Sequence, residues 1–307
     1  MWLTCLSSGR RTGTVLLSLL AVLVVWAAAA APPKVAAPDS TPPEVRWLPM
    51  GVDEVAPEVT PGVSCPLAEV LEGVQGRAKE LVESLERISA IERVEHTEIN
   101  NRGRARVKNE ITVEYVAQIR EVRPGRLSVE EWRSGGTTQM PAGTRLFSTG
   151  LGAFGLIFHP YYVDDVEVRC EGLGRWRDQP AWQLYFRQRE DREPRLRGYR
   201  VKQGSATVPL KGRAWVDTNN YQILRLETEL LKPLPGISLE HEQFLIDYQP
   251  VRFPASNAEL WLPQTAELYI QYQGRRYRHR HSFSNYKLFS VEVEQRIQPP
   301  AEPDPEP

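Results

Sequence analysis

The chain is poor in cysteine: three in 307 residues, at positions 5, 65 and 170. That is too few for a disulfide scaffold or a four-cysteine zinc site. Charge of one sign is also missing. Lys and Arg number 38 against 39 Asp and Glu, a formal net charge of −1, so no global field draws the molecule onto nucleic acid or an anionic membrane. Catalytic signatures are absent as well. There is no G-x-S-x-G elbow, no G-x-x-x-x-G-K-[ST] phosphate loop, no H-E-x-x-H and no C-x-x-C. The sequence therefore predicts a non-enzyme, with no cofactor, no bound metal and no nucleic-acid partner.

What is present is ordinary globular material, 41% hydrophobic and 25% charged. The N-terminus places Arg10 and Arg11 ahead of an apolar run, Val15 to Trp26, which ends in the alanines 27–31. A basic flank, an apolar stretch and small residues in the A-x-A pattern are the parts of a secretory signal, so residues 1–31 read as a leader cleaved after Ala29 or Ala31. An uncleaved anchor is the alternative, because nothing between Thr14 and Ala31 is charged; it would be the protein's only membrane contact. Export leaves Cys65 and Cys170 in an oxidising compartment. There they can form one disulfide or remain two small buried hydrophobes, and the sequence leaves both open.

Residues 32–64 carry eight prolines and few large apolar side chains, and read as a linker outside the folded part. Residues 298–307 read as an acidic, proline-rich tail. The remainder, 65–297, is sized for one domain. It opens with an apolar stripe at helical spacing from Leu67 through Val70, Val74, Ala78 and Leu81 to Ile88, interrupted by Gly73 and Gly76. After that the period becomes two. Ile111 to Ile119, Trp182 to Phe186, Phe244 to Tyr248, Leu268 to Tyr272 and Tyr277 to Phe283 each alternate apolar with polar residues. Gly212–Asp217 and Tyr221–Leu230 flank Asn219-Asn220, whose tolerance of positive φ predicts a hairpin, with Leu224, Leu226 and Leu230 on one face. Short turns without helical crossovers predict a mainly antiparallel α+β fold: a curled sheet or incomplete barrel with the N-terminal amphipathic helix packed on or in it. The glycine-rich apolar stretch 149–162 reads either as a short buried helix or core loop, or as a mobile lid.

Chemistry-bearing clusters are weak. His279 and His281 share a strand face but have no carboxylate near them in sequence, so packing of half-buried imidazoles is preferred to metal binding. His159 with Asp164 and Asp165 is better read as turn chemistry than as an acid–base set. Arg102, Arg104, Arg106 and Lys108 alternate, as do Arg276, Arg278 and Arg280. These two basic faces would suit an anionic envelope partner, or they are simply the water-facing side of a sheet.

Gly212-Arg213-Ala214-Trp215-Val216-Asp217, followed by Tyr221-Gln222-Ile223-Leu224-Arg225-Leu226-Glu227, resembles the W-[IV]-D turn and I-x-R-x-E strand of the LolA/LolB/RseB-like bacterial envelope proteins. Leu260-Trp261-Leu262-Pro263 and the tyrosine-rich C-terminal strands are similar in texture. The resemblance implies an incomplete barrel plugged by helices, located in the periplasm or cell envelope of a bacterium. It also implies an apolar cavity holding a lipid, an acyl chain or a lipoprotein. Candidate lining residues, taken from the alternating apolar faces, are Trp182, Leu184, Phe186, Leu224, Leu226, Phe244, Ile246, Leu268 and Ile270. The alternative is an envelope scaffold or stress-sensing interaction protein with a filled core and no small-molecule ligand.

Overall fold

In a computed structural model, residues 47–84, 87–135, 151–201, 204–254 and 257–289 are described. The expected leader, the first part of the proline-bearing segment and the expected C-terminal tail lie outside them. Helix α1 spans Leu67–Ser84. Its apolar stripe buries Val70, Val74 and Ala78, as the spacing predicts. Ile88, the expected end of the stripe, instead belongs to strand β1, Arg87–Ile99, where it pairs with Ala117 and Leu288.

The remaining strands are β2 (Ala105–Arg123), β3 (Arg126–Ser134), β4 (Val166–Trp176), β5 (Gln179–Gln188), β6 (Gly198–Val201), β7 (Gly204–Thr207), β8 (Leu210–Asp217), β9 (Ile223–Leu230), β10 (Leu239–Phe253), β11 (Ala258–Tyr272) and β12 (Arg275–Phe289). Ten of the strands form one antiparallel sheet in the order β3-β2-β1-β12-β11-β10-β9-β8-β5-β4, and β6 and β7 pair separately. The sheet curls without closing, with β3 and β4 as its edges. The concave side holds the core. Between β3 and β4 the segment Leu151–Phe158 winds as a 3-10 helix, and its Phe154, Leu156, Ile157 and Phe158 are each at most 3% exposed. Phe154 meets Phe244 with ring centroids 4.5 Å apart, and Phe158 meets Phe186 at 5.7 Å. Of the two expectations for this stretch, the buried short helix describes its placement.

The β8–β9 hairpin forms as expected, but its turn works differently. Positive φ falls on Tyr221, at 58°, and not on Asn219 or Asn220. Asp217 Oδ1 accepts the backbone N–H groups of Asn219 and Asn220, and Asn220 Oδ1 accepts that of Gln222. The left-handed conformation aims the Tyr221 ring at α1, where a Cβ on Gly73 would lie 2.3 Å from Tyr221 Cγ, and the phenol donates to Glu69. A register shift between Trp215 and Val216 also alters the face of one residue. Ile223 points to the main core, while Leu224 turns outward to join Ala181 and Trp215 in a second cluster, apart from Leu226 and Leu230.

Residues 47–64 correct the linker reading. This stretch crosses the convex face as a strap. Gln243 of β10 donates to the Met50 carbonyl, Val52 N–H donates to Glu229 of β9, and Arg213 of β8 donates to the Val52 carbonyl. Further along, Gln183 of β5 donates to the Glu58 carbonyl, and Thr60 N–H donates to Leu173 of β4. Val52 is 1% exposed. Prolines here keep the chain extended while its polar groups are satisfied by side chains of the sheet. The strap ends at Cys65, joined to Cys170 of β4 by a disulfide with a Cα–Cα distance of 6.2 Å.

Candidate functional site

Strand pairing stops early at one end of the sheet, and the opening this leaves is the candidate site. The ladder between β11 and β12 runs only from Thr265–Ser282 to Tyr272–Arg275, and the ladder between β9 and β10 ends at Arg225–Asp247. Beyond those points β10 and β11 continue as a two-stranded ribbon, Tyr248–Phe253 against Ala258–Pro263, with neither edge continuing a strand ladder among the described residues. Local chemistry accounts for the parting. Pro263 has no N–H to give β12, and a register shift between Asp247 and Tyr248 lies opposite it. In β12, Asn285 takes φ 53° at a second register shift, where β12 leaves β11 to follow β1. Tyr286 then donates to the Pro263 carbonyl at 2.5 Å, bridging the gap with a side chain.

The ribbon arches over the C-terminal half of α1, enclosing a cleft of about 270 Å³ whose rim carries Arg77, Glu80, Ser84 and Glu259. Past Leu81, Gly155, Tyr248 and Trp261, which line both parts, the cleft narrows to an inner end of about 30 Å³. That end is walled by apolar side chains, among them Ile88, Ala117, Ile119 and Phe283. Its volume in this conformation is about that of one water. At the neck sits the Tyr248 hydroxyl. Its oxygen is sealed from solvent and has no hydrogen-bond partner, although the residue as a whole is only half-buried. Burial pushes this phenol far above its ordinary pKa, so it stays a neutral O–H donor. A Cβ on Gly155 would lie 3.5 Å from the hydroxyl, which therefore faces a residue with no side chain.

One wall of the inner end leads into a buried polar network. Glu92 of β1, 0% exposed, accepts two bonds from Arg133 of β3, at 2.5 and 3.0 Å, and is 2.7 Å from His281 Nδ1. Tyr115, which lines the cleft, donates to Glu131 at 2.8 Å and lies 5.1 Å under the Arg133 guanidinium. Burial alone would push the Glu92 carboxyl up, but hydrogen bonds from His281 and Arg133 outweigh it and hold the carboxyl below its usual range. His279 is held neutral, its pKa pushed well down by burial and by its neighbours His96 and His281. The sequence offers no carboxylate near the histidines; β1–β12 pairing supplies one from 189 residues away. Among the described residues no group of three or more His, Cys, Asp or Glu is placed to hold a metal ion.

No family model matches the chain and no curated protein matches it. Several solved structures are similar, three among them as follows. An outer membrane lipoprotein-sorting protein domain from Vibrio parahaemolyticus is 13% identical, with 74% of this chain and 95% of that chain covered and a TM-score of 0.39. A DUF1329 family protein from Desulfovibrio piger is 10% identical, with 75% and 95% covered and a TM-score of 0.41. The MucA/MucB complex of Pseudomonas aeruginosa is 10% identical, with 73% and 100% covered and a TM-score of 0.22. The first and third are of the lipoprotein-sorting and RseB-like kinds that the Gly212–Glu227 hairpin resembles. At TM-scores and identities this low, the likenesses carry no functional argument.

The nine candidate lining residues are placed as follows. Leu184, Phe186, Leu226, Phe244, Ile246, Leu268 and Ile270 are buried in the main core, and Trp182 packs on it half-buried. Leu224 lies in the outer cluster. The side chains facing them include the protein's own Phe154 and Phe158, and none of the nine lines the cleft. The cleft residues Leu81, Tyr248, Trp261 and Tyr286 are individually unremarkable in sequence. The one local signal was Pro263 inside an apolar run.

The basic faces are largely neutralised. Arg106 pairs with Glu98, Lys108 with Glu95, and both Arg278 and Arg280 with Glu267, while Arg276 covers Trp47 of the strap. Arg102 and Arg104 are not on the strand at all. They belong to the turn before β2, where Asn100 Oδ1 accepts both of their N–H groups. Asp165 is held by Arg195 at 2.7 and 2.9 Å, and His159 Nδ1 accepts the Tyr161 N–H, which is turn chemistry.

Proposed function

We propose that this chain is an exported binding protein of the bacterial cell envelope that takes one alkyl or acyl chain into the cleft beneath the β10–β11 ribbon. The observation that carries the reading is the parting of the sheet at Pro263, which leaves an opening whose inner end is walled by apolar side chains. Size limits the guest. Pockets for drug-sized ligands run about 300–1,000 Å³, and a 270 Å³ mouth with a 30 Å³ inner end admits one short chain or the end of a longer one. It does not admit the several chains of a lipoprotein anchor together. The reading assigns the protein no catalysis. Among the described residues no helix is long and apolar enough to cross a membrane.

Calorimetric titration of the purified protein with 1-octanoylglycerol tests this. Burying most of an eight-carbon chain contributes about 5–6 kcal/mol before association costs, at about 0.8 kcal/mol per methylene, so the titration is run at millimolar ligand concentrations. Gly155→Leu fills the neck and abolishes the heat. Absence of binding by the unaltered protein refutes the reading. The packing of Phe154 and Phe158 into the concave face favours a second reading, an envelope scaffold that grips a protein partner and takes no small molecule. That is the reading left if the titration fails.

A further inference from the structure

We infer that the Tyr248 hydroxyl is a specificity determinant: it donates a hydrogen bond to the carbonyl of an acyl group whose chain enters the inner end of the cleft, about 30 Å³ as it stands, as the ribbon and the Trp261 and Tyr286 side chains move aside. The inference rests on the proposed cleft and names the chemistry the cleft selects. Buried hydroxyls are nearly always partnered, since a hydroxyl without a partner forfeits its hydration. Tyr248 is an exception sealed at the neck of a cleft, with its oxygen facing Gly155. On one side of it lies the apolar inner end. On the other lies a rim of charged and polar groups, Arg77, Glu80 and Ser84. A donor at the boundary between an apolar tube and a polar rim matches a molecule with the same order of parts: hydrocarbon, then an acceptor, then a hydrophilic head. An acyl ester is laid out in that order. Its carbonyl oxygen accepts a bond and never donates one, which suits a phenol that burial keeps protonated. A plain alkane would leave the hydroxyl unpaired, and an ether offers only its in-chain oxygen, displaced from the position of the carbonyl oxygen, so the site discriminates by the quality of the bond it can make.

The neighbouring tyrosines differ in this respect. Tyr286 donates to the Pro263 carbonyl and Tyr115 to Glu131, so both are engaged within the protein. Tyr248 alone among these three is left with a donor and no acceptor.

The test compares 1-octanoylglycerol with 1-O-octylglycerol, which keeps the chain and head but lacks the carbonyl. Titrations use the full mature chain and its Tyr248→Phe variant. The unaltered protein is expected to bind the ester about fivefold to tenfold more tightly than the ether. Tyr248→Phe should bind the two within a factor of two, with ether affinity retained. Ligand-free Tyr248→Phe should also melt at a higher temperature than the unaltered protein, because it no longer buries an unpaired hydroxyl. A hydroxyl with a structural role would give a lower melting temperature instead. If the unaltered protein binds neither compound, the cleft reading itself falls. If it binds both equally, or if the ester preference survives in Tyr248→Phe, the cleft stands and the role of Tyr248 is refuted.

Discussion

Two glycines interrupt α1, and substituting each by alanine separates a structural glycine from an incidental one. In a helix interior, alanine in place of glycine gains about 1 kcal/mol from backbone entropy alone. At Gly76 nothing lies within 4 Å of the added Cβ, so Gly76→Ala should show that gain nearly in full. At Gly73 the same methyl would stand 2.3, 2.5 and 2.8 Å from three ring carbons of Tyr221. Ordinary contact begins near 3.4 Å, so the ring must move by about an ångström. It has little freedom to do so, because Tyr221 is held at φ 58° in a turn fastened by Asp217 and Asn220 and donates to Glu69. Overpacking of this kind costs about 1–3 kcal/mol. Gly73→Ala should therefore be destabilising by up to about 2 kcal/mol net, opposite in sign to Gly76→Ala. Adding Tyr221→Gly, which removes the ring and tolerates the positive φ, should let the alanine at position 73 stabilise relative to that single variant. Urea denaturation midpoints for the four variants give the answer. Equal stabilisation by the two alanines would refute the claim that the hairpin turn is shaped to dock on α1.

Three further outcomes follow from the same structure. Burial is the main cause lowering the pKa of His96, His159, His241 and His279. The unfolded chain, with histidines near 6.5, then takes up protons that the folded chain refuses, so stability is full above about pH 6.5 and falls as pH drops below it. Urea midpoints at pH 7.5, 6.5 and 5.5 should decline in that order, and a flat or rising series would contradict the assignment. Reducing the Cys65–Cys170 disulfide, or replacing both residues by serine, opens a loop with a sequence separation of 105 and should lower unfolding free energy by up to about 4–5 kcal/mol, read as a melting shift with and without reductant. Glu92→Gln removes the buried carboxylate that accepts two bonds from Arg133, 10% exposed, and should cost up to about 3–5 kcal/mol in denaturant, whereas Glu92→Leu with Arg133→Leu should recover part of that loss.

How much of this was legible in the sequence depends on what each strand shows its two sides. β12 and the β8–β9 pair read correctly because apolar and polar residues alternate cleanly. β1 was invisible as a strand because its inward side carries Glu92 and His96, which read as solvent-facing until Arg133 of β3 and His281 of β12 are brought to Glu92 and His279 of β12 to His96. The strap was missed for a related reason. A proline-bearing segment with few apolar residues looks unable to support its own ordering, and here most of the ordering comes from sheet side chains such as Gln183, Arg213 and Gln243. Leu224 was assigned to the wrong face because it is the extra residue of a bulge, left unpaired between Ile223 and Arg225. The cleft was beyond reach on different grounds. It is defined by where ladders stop, and Ala117, Ile119 and Leu81 look the same whether the space beside them is filled or open.

The two ends of the sheet are built to opposite purposes, and this places the opening. At the β11–β12 turn the strands are fully paired, and the strap begins there: Trp47 meets His241 of β10 edge-on and lies under Arg276 of β12. From that point it fastens β10, β9, β8, β5 and β4 in succession on the convex side, ending at the disulfide. Gly174 of β4 is part of this fit, since a Cβ there would stand 2.8 Å from the Glu58 carbonyl of the strap. At the opposite end three separate devices weaken pairing: a proline without a donor, a bulge facing it, and an asparagine in the left-handed region. Any one of them would be accommodated by a local kink. All three fall around one gap, and the side chains bridging that gap, Tyr286 and Trp261, are large and rotatable and carry no ladder hydrogen bond across it. A frame stapled at one end and unlaced at the other can admit a guest by moving side chains and a two-stranded ribbon, while the ten-stranded sheet behind them keeps its register.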